Sequence, residues 1–593
     1  MSVDDALRSA GGVLRRQTST VLPYYALVAA TGDVTRLPML VGVVVALVAL
    51  ASTGRLEPLL DDLASVNPEL LAPDSPASLP PAVGERLAAV LFSPTVVVPL
   101  VLAFGLALLV SVLASGVTRA AALSAVDAAL DERDPLDAGV AGMRRWKTFA
   151  GLVVVRWALL LAAGIPLLAA VVGGAGALGG TTDPAALDQG TVVAVLAAVV
   201  GGLVTLFAVV TVFALLAFAG PAAVVDDRSL VGAVRRSAGV PFAHPVGFLL
   251  YGVVVVGSYV ALAIAAGLFG IAGVSRLVTV SSAFLVSPLL DGVAVSLYAG
   301  WTEGSESGES TESDGASESP DESGGSDASD ESNDERVVAE ESADESGFVF
   351  GADGTATGSQ PSPETERGIE STGATETGGV TERAGEMESG AETAGLVAGV
   401  RGALTGGVRE LGTFLRAGWG YVVVSAATLL VGIAGGWTAT VDSGVSIDPP
   451  ADPASVFGVV PVGPFVNLAV NNWFVATTAG FSGLFGGVPT LGTLLFNGAL
   501  VGAVAGVVDP VTFIAFVGPH GIIELPAIAV AGGVGLRLGH VAWGVWRGTR
   551  AKSALADELG RTWRLVVGLL VVFVVAGFVE AFVTPQVAAA VLG

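Results

Sequence analysis

The strongest constraint on this chain is a series of apolar runs, each too long and too poor in charge to remain in water. A helix needs about 20 apolar residues to cross hydrocarbon. Six runs precede a central acidic tract, at about Leu37–Ala51, Val96–Leu113, Leu152–Val172, Val192–Phe218, Val246–Leu268 and Val278–Leu297. Five follow it, at about Trp419–Ala439, Phe465–Phe485, Leu491–Val508, Val511–Leu536 and Val566–Phe582. Lipid offers no hydrogen bonds to the backbone, so such segments span as helices. The expected fold is all-α: a polytopic integral membrane protein with about 11 transmembrane helices. Six fall in an N-terminal module, residues 1–301, and five in a C-terminal module, residues 395–593.

Composition sharpens this. Of 593 residues, 52% are hydrophobic and only 14% charged. The net charge is −26, and nearly all of it lies between Thr302 and Ala394, where 26 Asp and Glu face three Arg. That segment is mostly Ser, Gly, Glu, Asp and Thr. It cannot bury enough apolar surface to offset ordering entropy, so residues 302–394 are expected to be a disordered acidic linker. Its one apolar island, Phe348-Val349-Phe350, is taken as incidental. Whether the linker joins two separate modules or two that pack together is left open by the sequence.

Cysteine is absent, which removes disulfides, iron–sulfur clusters and thiol catalysis. Only His244, His520 and His540 offer imidazole. No cofactor is expected, and no basic footprint for nucleic acid is present. No phosphate-binding loop, dinucleotide fingerprint, zincin motif or serine elbow survives a check of its context.

Basic residues set the orientation. Arg119, Arg133, Arg144, Arg145 and Lys147 lie between the second and third spans. Arg228, Arg235 and Arg236 lie between the fourth and fifth, and Arg537 to Arg564 precede the last. Positive loops face the cytoplasm. The N-terminus and the linker are therefore expected inside and the C-terminus outside, at the cell membrane. Met1–Ala30 is expected as an interfacial helix rather than a signal peptide, with Asp4 and Asp5 early and Arg15 and Arg16 late. Gly139–Trp146 and Leu230–Ser237 form a weak repeat, each amphipathic and each leading into a span. A juxtamembrane helix lying on the bilayer, rather than a partner-binding coiled coil, should follow the linker, because Leu396, Val400, Leu404, Val408, Leu411 and Leu415 share one helical stripe.

The densest polar set in apolar surroundings is Asn471, Asn472, Asn497, His520 and Glu524. Gly518 and Pro519 should break the fourth C-terminal span, with a half-helix restarting near Pro519; Gly521 and Pro526 loosen the same segment. Discontinuous helices point to binding sites in membranes. His520 and Glu524 are four residues apart, hence on one helix face. Three roles compete for this cluster: a structural polar clamp, a proton or ion site, and a hydrolytic or metal centre. The last lacks a third strong ligand nearby in sequence. Asp291, three residues after Pro288, is a secondary candidate, and Glu580, His244 and His540 are expected at interfaces or in solvent. Gly480, Gly483, Gly486 and Gly487 suggest close helix packing.

The ordered set Asn471-Asn472, Phe496-Asn497-Gly498, Pro519-His520-Gly521-x-x-Glu524-Leu525-Pro526-Ala527 and Ala531-Gly532-Gly533-x-Gly535-Leu536 resembles the stage II sporulation protein M family, over about Gly395–Gly593. That resemblance implies a five-span membrane scaffold that holds partner proteins and has no catalytic role. More weakly, Asp226-Asp227-Arg228-Ser229-Leu230, Arg235-Arg236-Ser237, Pro288 and Leu297-Tyr298 resemble the membrane domain beside glycerophosphodiester phosphodiesterases. No phosphodiesterase catalytic domain accompanies it. The function expected is a non-enzymatic membrane scaffold or assembly factor whose partners are the bilayer and other membrane proteins, with self-association compatible. An ion- or proton-coupled transporter using a broken helix at Pro519–Pro526 is the alternative. A membrane-embedded hydrolase is third.

Overall fold

The computed structural model describes residues 1–55, 58, 81–178, 189–312, 380–448, 452–458 and 460–593. Most of the acidic tract, including Phe348–Phe350, lies outside them. Among the described residues the chain is helical throughout, with one isolated bridge between Ile447 and Val508.

The first block runs α1 (Val3–Arg16), α2 (Thr18–Ser52), α3 (Pro81–Leu91), α4 (Pro94–Leu130), α5 (Pro135–Gly142), α6 (Trp146–Leu178), α7 (Gln189–Leu216), α8 (Ala219–Val225), α9 (Leu230–Ala243) and α10 (Pro245–Ile271). It closes with α11 (Arg276–Ser281), a π turn at Ser282–Val286 and α12 (Ser287–Glu312). The second block runs α13 (Val380–Ala417), α14 (Trp419–Thr440), α15 (Val462–Ser482), α16 (Val488–Val507), α17 (Pro510–Trp546) and α18 (Lys552–Phe578). A π turn at Val579–Val583 leads into α19 (Thr584–Leu592). Met1–Glu306 and Ala398–Gly593 form one compact unit, and Ser307–Val397 form a second. The two blocks of spans therefore pack on each other.

Ten helical stretches among the described residues are long and apolar enough to cross a membrane. The expected eleventh, α15, is a helix of 21 residues that carries Asn467, Asn471, Asn472, Thr477, Thr478 and Ser482. It packs among α2, α17 and α18. Side chains shielded by protein need not be lipid-soluble, which accounts for its polarity. Its first turn meets the α10–α11 corner, where Asn467 Oδ1 accepts from the Arg276 N–H at 3.0 Å. Gly483, just past its end, lies against the backbone of Gly535 in α17.

The largest core is not spread along the spans. It gathers Ala6 and Ala10 of α1, the early turns of α2, the last turns of α4, α5, α8, α9, the Val293–Tyr298 stretch of α12, the last turns of α17 and the early turns of α18. These are the helix ends that carry the basic loops. By contrast α10 buries no residue. Aqueous ends gain by excluding water, whereas a helix surrounded by lipid tails has no such drive to bury its side chains.

One expectation changes here. Residues 18–30 do not continue an interfacial helix. They are the buried start of α2, with Tyr24, Tyr25, Ala26 and Leu27 inside the core. The interfacial segment is α1 alone, capped by Ser2, whose hydroxyl holds the Asp5 carboxyl below its usual range. The stripe on α13 divides: Val400, Val408 and Leu415 are exposed, as in a helix lying on the bilayer, while Leu411 packs inward with buried Phe414. The closest backbone approach is at Gly407, which sits against Gly568 of α18. Helix further extends to Glu312 and starts again at Val380, inside both ends of the tract expected to be disordered. The weak repeat diverges locally: Arg144 and Arg145 sit in a 3-10 turn after α5, Arg235 and Arg236 within α9.

Small residues decide the closest seam. Gly432 and Gly436 of α14 meet Leu495, Ala499 and Ala503 of α16, while Gly498, Gly502 and Gly506 meet Leu429, Ile433 and Trp437 in return. Thr440 Oγ1 crosses the seam to the Ala503 carbonyl at 3.0 Å. A Cβ at Gly436 would fall on the Ala499 carbonyl and 2.8 Å from Ala503 N, whereas Gly435 faces open space. Thermal unfolding in mild detergent should therefore show Gly436→Val destabilised by about 1–3 kcal/mol, with Gly435→Val within about 0.5 kcal/mol of the parent. Equal behaviour of the two variants would refute the seam.

Candidate functional site

Helix α17 carries the centre of the candidate site. Asp509 caps it, its carboxylate accepting from Val511 N at 2.9 Å and Thr512 N at 3.1 Å, with Pro510 in the first turn. The helix then runs without interruption to Trp546. The expected break at Pro519 does not occur, and Pro519, Gly521 and Pro526 are all interior helical residues. The physical reason lies in the surroundings. A proline removes one N–H donor from a helix, while a full break in lipid would strand several backbone groups. Nor is Gly521 a forced hinge: a Cβ there would meet Val517 Cγ1 at an ordinary 3.4 Å.

His520 and Glu524 share one face of α17, as their spacing requires. The third member is Glu580, supplied by the π turn between α18 and α19. One ligand-capable atom from each of His520, Glu524 and Glu580 lies within 4.8 Å of the others. His520 Nε2 is 4.0 Å from Glu580 Oε1, and His520 Nδ1 is 3.5 Å from Thr584 Oγ1. Glu580 Oε2 is buried without a hydrogen-bond partner. Glu580 is therefore half-buried beside His520, and it supplies the third ligand-capable group that the local sequence around His520 lacks. The clue was available: an acid inside the last apolar run deserved the same weight as Glu524.

The asparagines do not join this group. Asn471 Nδ2 donates to Asn472 Oδ1 at 3.0 Å, and Asn497 Nδ2 donates to the Thr493 carbonyl one turn back at 2.7 Å. Asp291 serves the first block: the Tyr25 hydroxyl donates to its Oδ2 at 2.7 Å, and Arg119 approaches at 3.5 Å. Beside it, the Tyr24 hydroxyl donates to the Leu136 carbonyl. His244 stacks on Trp301 with centroids 4.9 Å apart, and His540 meets Tyr421 edge-on. Gly483 provides the close helix contact expected of the glycine set, whereas Gly486 and Gly487 form a left-handed turn, with φ of 77° and 76°.

Two ion pairs missed in the sequence fix the frame around the cluster. Arg537 Nε donates to Glu558 Oε1 at 2.8 Å, joining α17 to α18, and Arg561 Nε donates to Glu410 Oε1 at 2.6 Å, joining α18 to α13. Arg537 lies about 20 Å along α17 from Glu524. The pair thus sets the register of the same two chain segments that converge on His520.

Residues 425–585 match the family model of Stage II sporulation protein M. The match takes in His520, Glu524, Glu580 and Thr584 together. No curated protein and no solved structure matched the chain. The all-helical architecture, its apolar spans and this match make the chain a multi-pass membrane protein with a Stage II sporulation protein M-like C-terminal module.

Breaking the α17–α18 ion pair from one side should be costly, since Glu558 is only 6% exposed. Unfolding measurements should show Arg537→Ala less stable by about 3–5 kcal/mol. Arg537→Met combined with Glu558→Leu should recover most of that loss, because the buried charge goes with its partner. A double variant no better than the single one would contradict this.

Proposed function

We propose that this protein is a non-enzymatic scaffold or assembly factor of the cell membrane, and that its partners are other membrane proteins. The observation that carries this reading is a groove of about 850 Å³ at the seam of the two blocks. It is lined by Leu37 and Val41 of α2, Leu102 and Leu106 of α4, and Phe485 and Val488 at the turn into α16. The lining is almost wholly apolar, which suits the side chains of a partner's transmembrane helix. The match of residues 425–585 adds support, because a membrane role is what that family and this fold share. Ion-coupled transport relied on a helix break at Pro519–Pro526, and α17 passes that point unbroken.

Orientation follows from charge. The buried core collects the arginine-rich ends on one side, and the positive-inside preference assigns that side to the cytoplasm. The N-terminus and the acidic tract then face inward and the C-terminus outward. Because the chain has no native cysteine, an impermeant thiol reagent applied to intact cells should label Gly593→Cys and spare Ser2→Cys.

A photo-reactive side chain at Leu106 tests the scaffold in native membranes. Discrete protein adducts are expected, and Val41→Trp, which fills the groove, should reduce them severalfold. Adducts to lipid alone, or protein adducts indifferent to Val41→Trp, would count against the groove as the partner site.

A further inference from the structure

We propose that His520, Glu524 and Glu580 form a binding site for a divalent transition-metal ion of the Zn²⁺ class, placed between α17 and the last span. The argument begins with convergence. The three side chains come from two chain segments 56 residues apart at their nearest, yet their ligand-capable atoms lie within 4.8 Å of one another. Bonds of about 2.0–2.2 Å to a single ion would set ligand atoms no more than about 4.4 Å apart. Side-chain rotations of under an ångström close that gap.

Charge supplies the second argument. Two glutamates share this site, and among the described residues neither is bridged by an arginine or a lysine. Arg537 holds Glu558 and Arg561 holds Glu410, while Arg564 lies 16 residues before Glu580, about 24 Å along the helix. Unpaired carboxylates within a membrane protein are costly. A divalent cation neutralises both at once.

The third argument is incomplete satisfaction. Protein groups gather here without bonding well to each other. His520 sits 4.0 Å from Glu580 and 3.5 Å from Thr584, and Glu580 Oε2 has no protein partner at all. A π turn, a feature frequent at functional sites, presents Glu580 at this level. Thr584, 2% exposed, faces Nδ1 of His520 and leaves Nε2 turned toward Glu580, as an outer-shell partner does for a ligating imidazole.

Chemistry narrows the ion. Ca²⁺ and Mg²⁺ prefer all-oxygen ligands, and an imidazole selects for the zinc-like metals. Three protein ligands leave a fourth tetrahedral position for water or a ligand group.

The test uses the full-length chain in lipid nanodiscs, stripped with chelator and titrated with Zn²⁺. The acidic tract also attracts cations, but it can offer only oxygen; X-ray absorption at the zinc edge distinguishes the two. The proposal expects one Zn²⁺ per chain with an imidazole in its coordination shell and a Zn²⁺-dependent rise in Tm. His520→Gln, Glu524→Gln and Glu580→Gln should each weaken that site at least about tenfold and abolish the rise. Asp4→Asn, remote and exposed, should leave both unchanged. The metal-free variants should elute and unfold like the metal-free parent, which separates lost ligands from lost folding. An all-oxygen shell, affinity unchanged in His520→Gln and Glu580→Gln, or equal retention of Ca²⁺ or Mg²⁺ would each overturn the assignment.

Discussion

Water reaches this chain mainly at the ends of its helices, and that fact organises the whole structure. Hydrophobic burial acts where water can be excluded, so the densest core forms at the arginine-bearing ends, around Tyr24, Tyr25, Phe218, Leu297 and Tyr298. Residues far apart in sequence meet there, from α1 at the N-terminus to Leu555 and Leu559 of α18. This is why both blocks belong to one compact unit. Elsewhere along the spans, glycines on α14 and α16 and Gly407 against Gly568 bring backbones into direct contact.

The apolar runs were legible because lipid demands helices of a given length, and that demand leaves a plain mark in the sequence. α15 is the helix the sequence predicts but falls short of the hydropathy of the ten spans, because its neighbours rather than lipid cover Asn471 and Thr478. What could not be read was which side of a helix meets protein. The stripe on α13 is the clearest instance. Val400, Val408 and Leu415 stay outside because a lipid-facing surface is as apolar as a core, while Leu411 packs inward and Gly407 lets the backbones meet. Residues 18–30 misled for a related reason: an Arg-rich start followed by Pro-Tyr-Tyr looks interfacial until a half-buried aspartate, Asp291, is found accepting from the Tyr25 hydroxyl.

At the candidate site, local spacing was reliable and long-range partnership was not. His520 and Glu524 share a helix face because four residues make one turn. Glu580 is 56 residues beyond Glu524, and only the pairing of α17 with the last span brings it back. Pro519 was read as a break from a rule that holds best in water; in a membrane, one missing donor costs less than an opened helix. The result is a polar cluster held in a continuous helix, with Arg537 and Glu558 fixing its register from the aqueous end.

The central claim is that the two blocks of spans form a single body rather than two modules on a tether. Cutting the chain tests it most directly. A protease site introduced within residues 313–379 can be cleaved in native membranes, and the halves then purified in mild detergent through a tag on either one. The packing of α2 on α15 and α18, and of α5 on α18, predicts that the halves leave the column together in equal amounts. Clean separation of the halves after the cut would contradict it.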